Sequence, residues 1–237
     1  MLRFEELAYA STPMGELTLR RRHVAAVDAD VYEVKLGEEF LMSSLFTVAE
    51  EELARLGLSA VEAAGPLDVV VGGLGLGYTA VTALADDRLG SLTVVDALPE
   101  VIRWHQQGLL PVSGSLVGDA RTRLVHADFF ALMRDAPGAH ADVPAELHAI
   151  LLDVDHTPTF TLDASHADLY SEVGMRRLAR HLGPGGVFAL WSDDPPEEPF
   201  LAVLGEVFDV VEGHTVQFAN PLTEGMSRNG VYVARRS

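Results

Sequence analysis

The sequence predicts an α/β fold: a Rossmann-like, mostly parallel sheet with helices on both faces and an antiparallel C-terminal edge hairpin, preceded by a small β-rich N-terminal region. Three observations carry this. Gly72-Gly73-Leu74-Gly75-Leu76-Gly77 stands between the apolar run Leu67-Asp68-Val69-Val70-Val71 and a helical pattern that opens at Tyr78. Strand, glycine turn and helix in that order make a nucleotide-binding turn, because glycine permits the bend and a close backbone approach while the helix start offers free N–H groups. Strand and helix signals then alternate along the chain, as helices covering both faces of a parallel sheet require. Alternating β patterns lie outside this block, before residue 45 and after residue 207.

In chain order, Gly15-Glu16-Leu17-Thr18-Leu19-Arg20 and Val31-Tyr32-Glu33-Val34-Lys35-Leu36 alternate as half-buried hairpin strands do. Residues 1–45 form the small β-rich region and residues 46–237 the Rossmann-like domain. Arg20-Arg21-Arg22 reads either as a phosphate patch or as solvated charge on a strand end. Residues 46–58 are helical, with Leu45, Ala49, Leu53 and Leu56 on one side, and Gly57 and Gly65-Pro66 punctuate the approach to the next strand. Strands follow at 67–71, 91–96, 122–126, 147–153 and 186–191. Helices are predicted over 99–107 and 165–182, the second with a stripe of Leu169, Val173, Leu178 and Leu182 and a sharp stop at Gly183-Pro184-Gly185-Gly186. Residues 207–211 and 231–234 pair as the edge hairpin.

Composition narrows the function. The 237 residues suffice for one large domain or one domain with a small appendage. Seventeen basic against 35 acidic residues give a net charge of −18, which argues against a nucleic-acid partner and suits a cationic small substrate, if the acidity is not merely for solubility. No run is long enough to span a membrane, and Met1-Leu2-Arg3-Phe4-Glu5-Glu6 does not open a secretory signal. The absence of cysteine removes disulfides, thiolate metal sites and a thiol nucleophile. The chain reads as a soluble cytoplasmic protein.

In an open parallel sheet, ligands bind beyond the carboxyl ends of the strands. The first strand ends in the glycine loop, with Gly73, Gly75 and Gly77 as cofactor-binding candidates. The second ends at Asp96, about twenty residues further on, where a carboxylate grips a ribose or caps the following helix. The third runs into Asp128, a ligand contact or a helix cap. The fourth emerges from Ala149-Ile150-Leu151-Leu152 directly into Asp153, a carboxylate costly to hold there without a partner or a task. Asp155 and His156 follow, as substrate contacts or as partners of each other. Tyr170, and Trp191 at the end of the fifth strand, either stack on a ligand or pack in the core. Asp153, Asp155 and His156 lie too close in sequence to make a persuasive metal site on their own, and none is expected.

Residues 32–233 resemble the spermidine synthase family, the polyamine aminopropyltransferases, which share the fold of S-adenosylmethionine-dependent methyltransferases. The likeness runs through Val95-Asp96-Ala97-Leu98-Pro99-Glu100-Val101-Ile102, Asp119-Ala120-Arg121, His126-Ala127-Asp128, Leu152-Asp153-Val154-Asp155 and Leu169-Tyr170. It implies that Asp96 holds the ribose of the donor, that Asp128 meets the adenine amino group, and that Asp153 deprotonates and orients the attacking amine. Asp155, His156, Tyr170 and Trp191 stand as the substrate-binding candidates, and the resemblance together with the β-rich N-terminus suggests a homodimer.

Three departures bear on the reaction. Gly75 stands where the family carries an aspartate for the aminopropyl amine. Asp155 is displaced, with His156 in the second position of the family's aspartate pair. The family's Gln and Tyr-His-Glu signature is not recognisable around residues 40–58. Three functions follow. The first is aminopropyl transfer from decarboxylated S-adenosylmethionine to a polyamine, with Asp153 as base and Asp155 or Glu198 holding the distal ammonium. The second is methyl transfer from S-adenosylmethionine to a small molecule, and the third is non-catalytic adenosyl binding.

Overall fold

The computed structural model describes residues 4–63 and 65–237. The sequence reading of Met1-Leu2-Arg3 as lacking a secretory signal lies outside the described residues. Four antiparallel strands come first, Phe4–Thr12 (β1), Gly15–Val24 (β2), Ala29–Leu36 (β3) and Glu39–Ser43 (β4), paired in sequence order. Alternation places Leu17, Leu19 and Val34 inward, where they join the main core. On β2 the three arginines are ion-paired: Arg20 and Arg22 each reach Glu33 at 2.7 Å, and Arg21 reaches Glu5. The Glu33 side chain is only 2% exposed, so this run is a structural charge cluster.

After the helix Val48–Ser59 (α1), a seven-stranded sheet is built from Leu67–Gly72 (β5), Leu89–Asp96 (β6), Thr122–His126 (β7), Leu147–Leu152 (β8), Leu182–Ser192 (β9), Val210–Asn220 (β10) and Gly225–Arg235 (β11). Its order is β10-β11-β9-β8-β5-β6-β7. The five strands from β5 to β9 are parallel, and β11 pairs antiparallel with both β9 and β10. This is the predicted fold class, with its edge hairpin.

The two-residue period of β5 explains the layering. Val69 and Val71 face the cluster that α1, Tyr78–Leu84 (α2), Pro99–Gln106 (α3) and Ser113–Gly118 (α4) cover. Val70 faces the cluster under Phe129–Arg134 (α5), Glu172–Ala179 (α6) and Glu198–Gly205 (α7). Gly57 lies inside α1 and does not punctuate it. A Cβ there would stand 2.6 Å from Leu151 Cδ2, so glycine lets the helix sit against the sheet.

The helix expected over 165–182 is divided. A 3₁₀ turn, Ala164–Asp168, precedes α6, and the Ser171 hydroxyl caps α6 by accepting from the Gly174 N–H at 3.1 Å. Val173, expected on the apolar stripe, is exposed, and Leu182 already belongs to β9. The Gly183-Pro184-Gly185-Gly186 run is not the helix stop but an irregularity within β9, where pairing with β8 jumps from Leu147–Leu182 to Ala149–Val187.

Candidate active site

β5 lies between β8 and β6: the chain runs outward from it through β6 to β7, then crosses back to its other side for β8 and β9. Such a switch point opens a crevice at the carboxyl ends of the strands. The glycine loop comes from β5 and Asp153 from β8, so both stand at that crevice.

The loop needs its glycines. Gly73, Gly75 and Gly77 have φ of 93°, 47° and 89°, in the left-handed region that side chains disfavour. A Cβ on Gly73 would collide with the Asp153 carbonyl oxygen. The Gly73 N–H donates to the Val95 carbonyl, and the Asp153 N–H to the Gly72 carbonyl. His105 buttresses the loop from behind. It is buried, its Nε2 lies 2.9 Å from the Gly75 carbonyl and its Nδ1 3.3 Å from Ser113 Oγ. Burial lowers its pKa, so the neutral ring donates from Nε2 and accepts from Ser113 at Nδ1.

A cavity of about 410 Å³ opens beside the loop, bounded by β4, α1, the ends of β8 and β9, and the β10–β11 hairpin. It lies within the usual size of a small-molecule site. Glu50 and Asp153 both line it. Withdrawal from water pushes the Asp153 carboxyl up to about 6, against a hydrogen bond from the Thr79 hydroxyl at 2.7 Å. Glu50 is pushed up to about 8, first by desolvation and then by the negative charge of Asp153. The cavity is thus lined by two acids whose proton affinity is raised, that of Glu50 in part by the charge of Asp153.

The remaining predicted residues divide. Gly75, Gly77, Asp153, His156 and Trp191 line the cavity, and His156 stacks on Phe160 with ring centroids 5.0 Å apart. Asp96 and Asp128 stand at the ends of the neighbouring strands, outside its lining. Asp96 accepts from the Leu74 N–H at 2.9 Å and the Leu98 N–H at 2.8 Å, so it secures the glycine loop. Burial nonetheless raises its pKa. Asp128 caps α5, accepting from Phe130 and Ala131. Asp155 is buried and does not line the cavity. It accepts from Leu162 N–H (2.7 Å), His166 Nδ1 (2.8 Å) and Tyr170 OH (2.7 Å). Tyr170 is thus tied to Asp155 in the core, with its pKa raised by burial and by that carboxylate. Glu198 opens α7, exposed and away from the cavity, whereas Asp193 lines it. Among the described residues no group of His, Asp and Glu converges as a metal site.

Sequence reasoning missed Glu50, Thr79 and His105. Glu50 sits in Ala49-Glu50-Glu51-Glu52, where its neighbours suggest an ordinary solvated helix face; only packing shows which acid turns inward. A signal existed for Thr79, a polar residue on the otherwise apolar start of α2.

No family model and no curated protein matches the chain. Solved structures do. The spermidine synthase of Thermotoga maritima aligns over 98% of this chain and 73% of its own, with a TM-score of 0.73 and 16% identity. A spermidine synthase in complex with the transition state analogue AdoDATO aligns over 98% and 74%, with a TM-score of 0.72 and 16% identity. Human methyltransferase-like protein 13, in complex with SAH, aligns over 81% and 80%, with a TM-score of 0.53 and 19% identity. The chain shares the fold of these proteins.

Proposed function

We propose that this protein is a transferase that moves an alkyl group from an adenosyl-sulfonium donor to an amine, in the first instance an aminopropyl group from decarboxylated S-adenosylmethionine to a polyamine. The observation that carries this reading is the pair Glu50 and Asp153, two carboxyls of raised proton affinity lining a cavity beside a glycine loop. Spermidine synthases and a methyltransferase share the fold, and AdoDATO and SAH are the ligands of two of them. The chain's own residues fit such a donor. The glycine loop ends at the start of α2, Asp96 is held at its base, and the cavity opens next to it.

The donor supplies an electrophilic carbon next to a sulfonium. An amine reaches the site mainly as an ammonium ion, which the acid pair attracts, and Asp153 takes its proton. The freed nitrogen lone pair forms the new C–N bond as the C–S bond breaks, and sulfur leaves with the electron pair as the thioether methylthioadenosine. Thr79 holds one oxygen of Asp153, which leaves the other for the nitrogen.

Methyl transfer from S-adenosylmethionine is the second reading, favoured by one contact. A Cβ at Gly75 would stand 2.9 Å from Met42 Sδ. A thioether fills the space where the resemblance calls for an aspartate on the aminopropyl amine.

Calorimetric titration with S-adenosylmethionine, its decarboxylated form and methylthioadenosine, followed by turnover with putrescine and spermidine, tests the reading. Decarboxylated donor binding and amine-dependent release of methylthioadenosine are expected. Binding of no adenosyl ligand would overturn the reading, and binding without turnover across many amines would leave a non-catalytic adenosyl-binding protein.

A further inference from the structure

The cavity that holds the acid pair also carries a cation. Arg228, on β11, lines it as an exposed residue, and among the described residues its guanidinium has no carboxylate, carbonyl or aromatic partner. Every other described lysine or arginine is engaged. Thirteen of them meet a carboxylate, while Arg180 and Arg236 bond main-chain carbonyls. In a chain with 35 acidic and 17 basic residues, an arginine finds a carboxylate easily. The exception stands at the cavity.

A second unmet donor lines the cavity from the opposite face of the β9–β11 pair. Trp191 lines the cavity, and its indole Nε1 is buried without an acceptor, a state that costs stability unless something supplies one. Trp191 pairs with Val231 across β9 and β11. Arg228 lies three positions further along β11, beyond Gly230 and its partner Ser192 at the end of β9. The lining is therefore bipolar, with Glu50 and Asp153 among its acids and Arg228 and Trp191 as donors.

We propose that the ligand of this cavity carries a carboxylate as well as an ammonium, and that Arg228 pairs with that carboxylate. This rests on the adenosyl-transferase reading but departs from its first instance, in which neither the decarboxylated donor nor the polyamine carries a carboxylate, by giving the donor or the acceptor an amino-acid end. Two sources share this chemistry: a donor that keeps its carboxylate, as S-adenosylmethionine does, or an amino-acid acceptor. A carboxylate gives the guanidinium a planar partner.

The test uses ligand pairs that differ by one carboxylate, titrated into wild type, R228Q and R228K. One arm compares S-adenosylmethionine with its decarboxylated form. The other, with methylthioadenosine bound, compares ornithine with putrescine. Methylthioadenosine, which has no carboxylate, is the reference ligand. A preference of about tenfold or more for the carboxylated partner in either arm, collapsing in R228Q and partly kept in R228K, is the expected result; the arm showing it identifies the source. Methylthioadenosine binding with no such preference in either arm, or a preference that survives R228Q, would overturn the inference alone. Failure of wild type to bind methylthioadenosine would overturn the adenosyl reading and this inference with it.

Discussion

The Thr79 hydroxyl donates a 2.7 Å hydrogen bond to Oδ2 of Asp153, tying the first turn of α2 to the carboxylate beyond β8. The same hydroxyl lies 3.3 Å from the Glu50 carbonyl on α1. One buried threonine therefore gathers the glycine-loop helix, the strand end and the helix that carries the second acid.

That bond holds the Asp153 pKa lower than burial alone would. Thr79→Val should move the acidic limb of the pH–rate profile upward, because Asp153 must be ionised to take a proton. Thr79→Ser, which keeps the hydroxyl, should restore the limb. Both variants are read by kcat against pH.

Asp153→Asn removes the base without changing its size. Turnover should fall by about 10²- to 10⁴-fold, while methylthioadenosine affinity, measured by calorimetry, stays within a few-fold. Equal losses of binding and turnover would assign Asp153 to ligand binding and not to proton transfer.

The acid pair also links stability to pH. Glu50 and Asp153 have folded-state values near 8 and 6, above the ordinary 4.5 and 3.8. The native state thus holds protons that the unfolded chain releases, and the stability from this linkage is full below about pH 4 and lost as pH rises through 6 to 8. In Glu50→Gln a neutral amide replaces the acid, so its urea-unfolding free energy should gain on wild type between pH 5 and 8.5. A constant difference across that range would refute the shift.

Asp155 is the anchor of the segment after β8. Asp155→Ala leaves the Leu162 N–H, His166 Nδ1 and Tyr170 hydroxyl without their acceptor, and should cost about 3 kcal/mol in chemical denaturation. Tyr170→Phe removes one of those bonds and should cost about 1.5 kcal/mol.

Much of the sheet was legible in the sequence because period-two apolar strands and the glycine turn are local signals. The edges of β5 and β7 and the start of α2 lie close to their predicted positions. The division of residues 165–182 was not legible, since Ser171 reads as an ordinary helix residue until its hydroxyl is seen capping Gly174. The site was legible in part. Asp153 and the glycines announce themselves by their place at strand ends, whereas Asp155, beside them in sequence, turns into the core toward His166 and Tyr170. Glu50 and Arg228 come from a helix before the sheet and a strand at its edge. No local pattern links residues 50, 153 and 228; packing alone lines one cavity with them.

The central claim, that Glu50 and Asp153 form the ammonium site, is tested most directly by counting protons on binding. Putrescine and spermidine would be titrated at pH 7 into protein saturated with methylthioadenosine, in two buffers of different ionisation enthalpy. The account predicts net proton release from the pair, because an incoming positive charge lowers both pKa values, and predicts that Glu50→Gln removes most of it. Amine binding with no proton release, or with release that Glu50→Gln leaves untouched, would contradict it.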